Sequence, residues 1–179
     1  PNVFECKAIV FEGPEDYHKR LNDKKLKIDE NSILIVRGCG PVGYPGSAEV
    51  INMQPPDRLL KKGINTLPTL GDGRQSGTSA SPSILHVSPE SAVGGDLGIV
   101  KTGDKIKINL NKRRVDLLIS LGEFKKRRKN RKKFKENNQT PWQEIFRNTV
   151  THVDDGACIN SRGKYLDVSH TKGLPRDSH

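Results

Sequence analysis

The sequence predicts a compact α+β domain built on a barrel-like, strongly curved mixed sheet flanked by short helices, in a chain of 179 residues. Three observations predict it. Short apolar, β-branched runs outnumber amphipathic helical stretches; glycine-rich loops follow two of those runs; and compact polar turns join the last of them. A chain of this length is about the size of one ordinary domain.

The elements follow in order. Residues 3–11, VFECKAIVF, read as a strand closed by Gly13-Pro14, and 15–21 are polar and helix-compatible. Ser32 to Arg37 forms a second strand whose run Ile33-Leu34-Ile35-Val36 is continuously apolar, as a strand covered on both faces requires. It empties into GCGPVGYPG, residues 38–46, a loop shaped by glycine and proline. Ser47 to Met53 is expected to be helical with Ser47 as N-cap, and Pro55 to Lys62 supplies a second short helix. Thr66 to Leu70 leads into a second loop, GDGRQSGTSASPS, residues 71–83. Leu97–Lys101, Lys105–Leu110 and Arg114–Ile119 are expected to be three strands of an antiparallel meander. Residues 124–138 read as a solvated helix or mobile excursion, and Thr140-Pro141-Trp142-Gln143 begins a helix with a capping-box pattern.

Charge and cysteines narrow the function classes. The net charge is +10, but nine basic residues and no acidic one fall between Lys125 and Lys135, so the remainder carries only +1. Neither Phe124 nor Phe134 makes that tract a run of interleaved aromatics, so nucleic acid is not an expected partner on sequence grounds. Cys6, Cys39 and Cys158 match no zinc spacing and read as reduced thiols of a cytoplasmic protein. No apolar stretch approaches the ~20 residues that span a bilayer, and no membrane association is expected.

Glycines let a backbone approach a ligand and aim its N–H groups at an anion, so the two loops are the natural place for chemistry. Neither matches a phosphate-binding or dinucleotide loop, and Ser76 lies outside a GxSxG elbow. Asp72 and Arg74 are expected to shape the second loop through an ion pair. His86 is expected to pack within a strand.

The stretches RGCGPVGYPGSAEVINM, TLPTLGDGRQSGTSASPSILHVSPESAVGGDLGIVKTGDKIKINL and TKGLPRDSH together resemble the C-terminal domain of the dihydroxyacid and sugar-acid dehydratase family. The resemblance covers nearly the whole chain, 1–179, apart from the basic excursion at 124–138. It implies a hydro-lyase that converts a 2,3-dihydroxy acid to a 2-oxo acid, with Ser76 as alkoxide base, Thr78 and His179 contacting substrate, and Glu49 contributing to a Mg2+ site. An alkoxide at neutral pH needs cations and oriented N–H donors around it. The resemblance further implies an iron-sulfur cluster, 2Fe-2S or 4Fe-4S, held by an N-terminal domain absent from this chain, so the domain by itself is expected to be inactive. A sugar acid (aldonate) is the expected substrate, with a branched-chain dihydroxy acid as the alternative. The expected partners are the N-terminal domain and further copies of the protein in a homo-oligomer; a non-catalytic basic nucleic-acid-binding module is the competing class.

Overall fold

The computed structural model describes residues 2–45, 52–76, 80–136 and 140–159. Six strands form one mixed sheet in the order β4-β3-β2-β1-β5-β6. β1 (Val3–Glu12) and β2 (Ser32–Arg37) lie at its centre, in parallel, with β3 (Thr69–Gly71) and β4 (Ser83–Ile84) added in parallel on one side. β5 (Lys105–Asn109) and β6 (Arg114–Leu117) run antiparallel on the other. The sheet curls and, among the described residues, carries four short α-helices: α1 (Pro14–Arg20), α2 (Asp57–Leu60), α3 (Leu121–Lys129) and α4 (Pro141–Thr149). The α+β expectation therefore holds. Among the described residues no helix is long and apolar enough to cross a membrane.

Register explains why the central strands are apolar on both faces. Successive side chains point to opposite sides of a sheet, and Ile9 pairs with Leu34 and Phe11 with Val36. These four join Tyr17, Ile28, Met53, Leu59 and Leu67 in one core. The intervening pairs, Ala8 with Ile33 and Val10 with Ile35, enter a second core with Leu70, Leu97, Val100, Ile106 and Ile108. Burying one such side chain contributes about 1.5–3 kcal/mol, and both cores depend on the same two strands.

Beyond Lys7, β1 has no strand on its β5 side, and a turn closes that edge. Ala8 N–H donates to Asp104 O at 2.8 Å, Gly103 N–H to Ala8 O at 2.8 Å, and Val10 N–H to Thr102 Oγ1 at 2.9 Å. The Asp104 carboxylate takes Arg127 of α3 in a two-pronged pair at 2.5 and 3.0 Å. Arg127 also reaches Glu123 at 2.7 Å and the Ile99 carbonyl at 3.3 Å. The helix within the basic tract is thereby fastened to the sheet edge instead of standing free in solvent. α4 begins with the expected capping box, Thr140 accepting from Gln143 N–H at 3.3 Å and Gln143 Oε1 from Thr140 N–H at 3.1 Å.

Four expectations are corrected. Leu97–Lys101 is no strand: Asp96–Ile99 is a 3₁₀ turn, because Arg37 draws in the Leu97 and Val100 carbonyls at 3.0 and 2.9 Å and leaves no ladder to join. The meander is accordingly reduced to β5 and β6. The second short helix shrinks to Asp57–Leu60, since the Pro55-Pro56 pair holds the preceding backbone extended and Pro56 becomes its N-cap. Asn52 and Met53 are not helical; the rest of the helix expected over 47–53 lies outside the described residues. His86 is exposed in a loop at φ 54°, where β4 has already ended, and not packed within a strand.

Replacing Arg127 leaves a nearly buried Asp104 carboxylate, 10% exposed, without its main partner. Arg127→Ala is expected to lower stability by about 3 kcal/mol, read as a shift of the urea unfolding midpoint with unchanged slope. Arg128→Ala, whose ion pair with Asp96 is half exposed, is expected to change it by less than about 1 kcal/mol.

Candidate functional site: two loops at the carboxyl edge of the sheet

β1, β2 and β3 are parallel, so their carboxyl ends share one edge, and from that edge of an open α/β sheet loops commonly form ligand sites. Both glycine-rich loops start there, the first after Arg37 and the second after Gly71. What fixes them relative to each other is Asp72. Its side chain is fully buried, one oxygen accepting from Cys39 N–H at 2.9 Å, the other from Gly38 N–H at 3.0 Å, Ser91 N–H at 2.9 Å and Ser91 Oγ–H at 2.6 Å. Asp72 thus bonds backbone where an ion pair with Arg74 was expected. Arg74 is exposed, because the N–H groups already occupy the carboxylate.

The neighbours of Asp72 account for the rest of the GDGRQS pattern. A Cβ on Gly71 would stand 2.8 Å from the Val36 carbonyl, and one on Gly73 would stand 2.6 Å from Cys39 Cβ. Both are closer than carbon tolerates, so the two loops meet only if these residues are glycine. Gln75 is buried and donates to Thr69 Oγ1 at 2.9 Å, while its carbonyl accepts from Ser83 Oγ at 3.3 Å. The second loop is therefore pinned at Asp72 and again at Gln75. Ser76, half-buried, follows the second pin directly.

The first loop has its own pins. Glu90, 1% exposed, accepts from Val42 N–H and Gly43 N–H, each at 2.9 Å. Burial raises its carboxyl above the ordinary value, although those two N–H groups pull the other way. Arg147 of α4 is buried as well and donates from Nε to the Val42 carbonyl at 2.8 Å. Burial, reinforced by the Asp72 charge, pushes the Cys39 thiol well up, which suits a packing residue and not a metal ligand.

Of the residues predicted from sequence for catalysis, Ser76 is described; Thr78, Glu49 and His179 lie outside the described residues. Among the described residues no three His, Cys, Asp or Glu side chains gather in a way that fits a metal ion or cluster. Sequence reasoning missed Glu90, Ser91, Gln75 and Arg147 as the residues that hold the loops. A carboxylate within the otherwise small and apolar run ESAVGG was the available signal for Glu90.

A mixed α+β sheet presenting a doubly pinned serine loop at its carboxyl edge is the class of domain these features define. A family model described as Dihydroxy-acid/6-phosphogluconate dehydratase C-terminal matches residues 2–157. The chain is 54% identical over 177 residues to a D-xylonate dehydratase of Caulobacter vibrioides, covering 99% of this chain and 29% of that protein. It is 39% identical over 180 residues to an L-arabinonate dehydratase of Rhizobium leguminosarum bv. trifolii, covering 99% and 30%. A dihydroxy-acid dehydratase of Thermodesulfovibrio yellowstonii is 39% identical over 157 residues, covering 87% and 28%. The chain belongs to the dihydroxy-acid/6-phosphogluconate dehydratase family, as its C-terminal domain, and spans about 30% of the length of these relatives.

The raised Glu90 carboxyl sets a pH dependence. Between the ordinary carboxyl pKa and the raised folded value the folded state holds the extra proton, so stability falls as pH rises through that window. Urea midpoints across the acid-to-neutral range are expected to show this decline in the wild type and to lack that component in Glu90→Gln. Asp72→Ala removes the acceptor for three backbone N–H groups and is expected to cost about 3 kcal/mol or more, measured the same way.

Proposed function

We propose that this chain is the catalytic-serine domain of a hydro-lyase that removes water from a 2,3-dihydroxy acid, a sugar acid of the aldonate type, to give a 2-keto-3-deoxy acid. The observation that carries the proposal is the placement of Ser76 immediately after two pins, Asp72 and Gln75, on a loop whose Gly71 and Gly73 admit no side chain. A general base works only when held within hydrogen-bond reach of the proton it removes, and rigid support of the preceding residues supplies that constraint. In the reaction Ser76 Oγ takes the proton from C2, the C2–H electrons form the C2=C3 bond, and the C3 hydroxyl leaves. The resulting enol takes a proton at C3, returned from Ser76 Oγ–H, and gives its own O–H proton to the departed hydroxide, so that water and the 2-oxo acid are formed.

Thr78 is assigned to substrate contact two residues further on, and His179 likewise. The iron-sulfur cluster and Mg2+ implied by the resemblance find no site among the described residues. Glu49, outside them, is the candidate Mg2+ ligand of this chain, a carboxylate suited to a hard cation. We assign the cluster to the remainder of the protein, which is also the required partner for activity, in a homo-oligomer. The names of the xylonate and arabinonate dehydratases at 54% and 39% identity support an aldonate over a branched-chain acid.

The test is an anaerobic assay of 2-oxo acid formation by the full-length protein against a panel of aldonates and branched dihydroxy acids. Ser76→Ala is expected to lower kcat by about a thousandfold or more with little change in KM. A variant as active as wild type would remove Ser76 from the mechanism, and turnover of branched acids alone would overturn the aldonate assignment. The chain by itself is expected to give no product.

A further inference from the structure

Residues 125–135 build a wall where an isolated excursion was expected. Their helical half is tied down through Arg127. In the half beyond α3, Arg131 donates to the Gly94 carbonyl, and the Phe134 ring lies over the first loop, 3.4 Å from where a Cβ on Gly38 would stand. Between this wall and residues 43–45 opens a cleft of about 740 Å³. Lys126, Arg131, Lys132, Lys133 and Lys135 line it, and so do Tyr44 and Phe134. A second depression of about 480 Å³ shares Arg131, Lys132 and Lys133 and adds Arg128 and Lys129.

The carboxylates in the first cleft are engaged. Glu12 pairs with Arg37, Glu123 with Arg127, and Glu15 accepts from the Tyr44 hydroxyl at 2.9 Å. Lys126, Lys132, Lys133 and Lys135, by contrast, form no ion pair among the described residues. Asp72, Gln75 and Ser76 do not line the cleft, so its cations are separate from the serine loop.

One small carboxylate needs one or two cations, whereas a cationic band running through two linked depressions suits a row of phosphates. A membrane surface would ask for an apolar face beside the charges. The tract has no broad face of that kind: Phe124 lies under the Arg128 guanidinium at 5.6 Å, and Phe134, a single ring 37% exposed, packs one edge toward Gly38 and turns its open part to the cleft. What the fold adds to the sequence is Tyr44. It comes from the first loop, far from the tract in sequence, yet lines the same cleft as Phe134 and gives the cations the aromatic company they lack in linear order. Cations that track a backbone, with rings for bases to stack on, are the working parts of single-strand nucleic-acid binding.

We propose that this cleft binds single-stranded nucleic acid without sequence preference, its phosphodiester backbone along Lys126, Arg131, Lys132, Lys133 and Lys135 and a base against Tyr44 or Phe134. The binding makes no use of Ser76 and is independent of dehydration. The test is fluorescence anisotropy of the full-length protein with a labelled oligothymidylate across a salt series. Log affinity is expected to fall with log salt at a slope of about −0.7 per phosphate contacted, near −3.5 for the five cations. The triple variant Lys132→Ala/Lys133→Ala/Lys135→Ala is expected to reduce that slope by about 2, while Lys61→Ala/Lys62→Ala leaves it unchanged. An abasic strand of equal length is expected to bind about tenfold more weakly. Equal binding of the abasic strand would overturn the stacking role of the rings. Wild-type affinity and slope in the triple variant would overturn the proposal, as would capture by phosphatidylserine vesicles with no oligonucleotide binding.

Discussion

One carboxylate organises the carboxyl edge of this domain. Asp72 binds three backbone N–H groups and one hydroxyl from two other segments, so that the end of β2, the end of β3 and the turn at Ser91 share a single acceptor. A buried carboxylate without such donors would be strongly unfavourable; with them, each bond is of the charge-assisted, stronger kind. Everything built on that edge inherits its geometry. Gly73 can press against Cys39 because Asp72 has drawn the loops together, Gln75 can reach Thr69 because the chain leaves Gly73 in a fixed direction, and Ser76 follows in turn.

Glu90 repeats the device one layer out, holding Val42 and Gly43 as Asp72 holds Gly38 and Cys39. Two buried acids brace one loop, and Arg147 from α4 braces it from the far side. Pre-organisation of this kind separates a serine that is merely exposed from one that can be aimed, since catalytic geometry tolerates displacements well below an ångström. It also links the two surfaces of the first loop: the side facing Asp72 supports the serine loop, and the side bearing Tyr44 forms part of the basic cleft.

The central sheet was readable from the sequence because its signal is local. A continuous apolar run at Ile33-Leu34-Ile35-Val36 can hardly be anything but a strand covered on both faces, and the capping box at Thr140 is complete within four residues. The serine loop was found through the resemblance of its GDGRQSG segment, not through its spacing. What failed were elements decided by distant partners. Leu97–Lys101 has strand composition, yet Arg37, sixty residues earlier, takes its carbonyls. Arg74 stands two residues from Asp72, and the carboxylate is nevertheless spent on backbone that sequence patterns do not display. His86 carries a left-handed backbone that nothing in its neighbourhood announces. Tyr44 and Phe134 meet at one cleft only through the fold.

The packing of Gly40 against Glu90 has a consequence for how this chain tolerates change. A Cβ at position 40 would stand 2.2 Å from a carboxylate oxygen of Glu90, so the acid occupies the space that any side chain at 40 would need. The two positions behave as one shared volume: a larger residue at 40 is admissible only with a shorter one at 90, and then the Val42 and Gly43 N–H groups lose their acceptor. Divergence along this loop is thereby channelled into paired substitutions, with neither site free to drift alone.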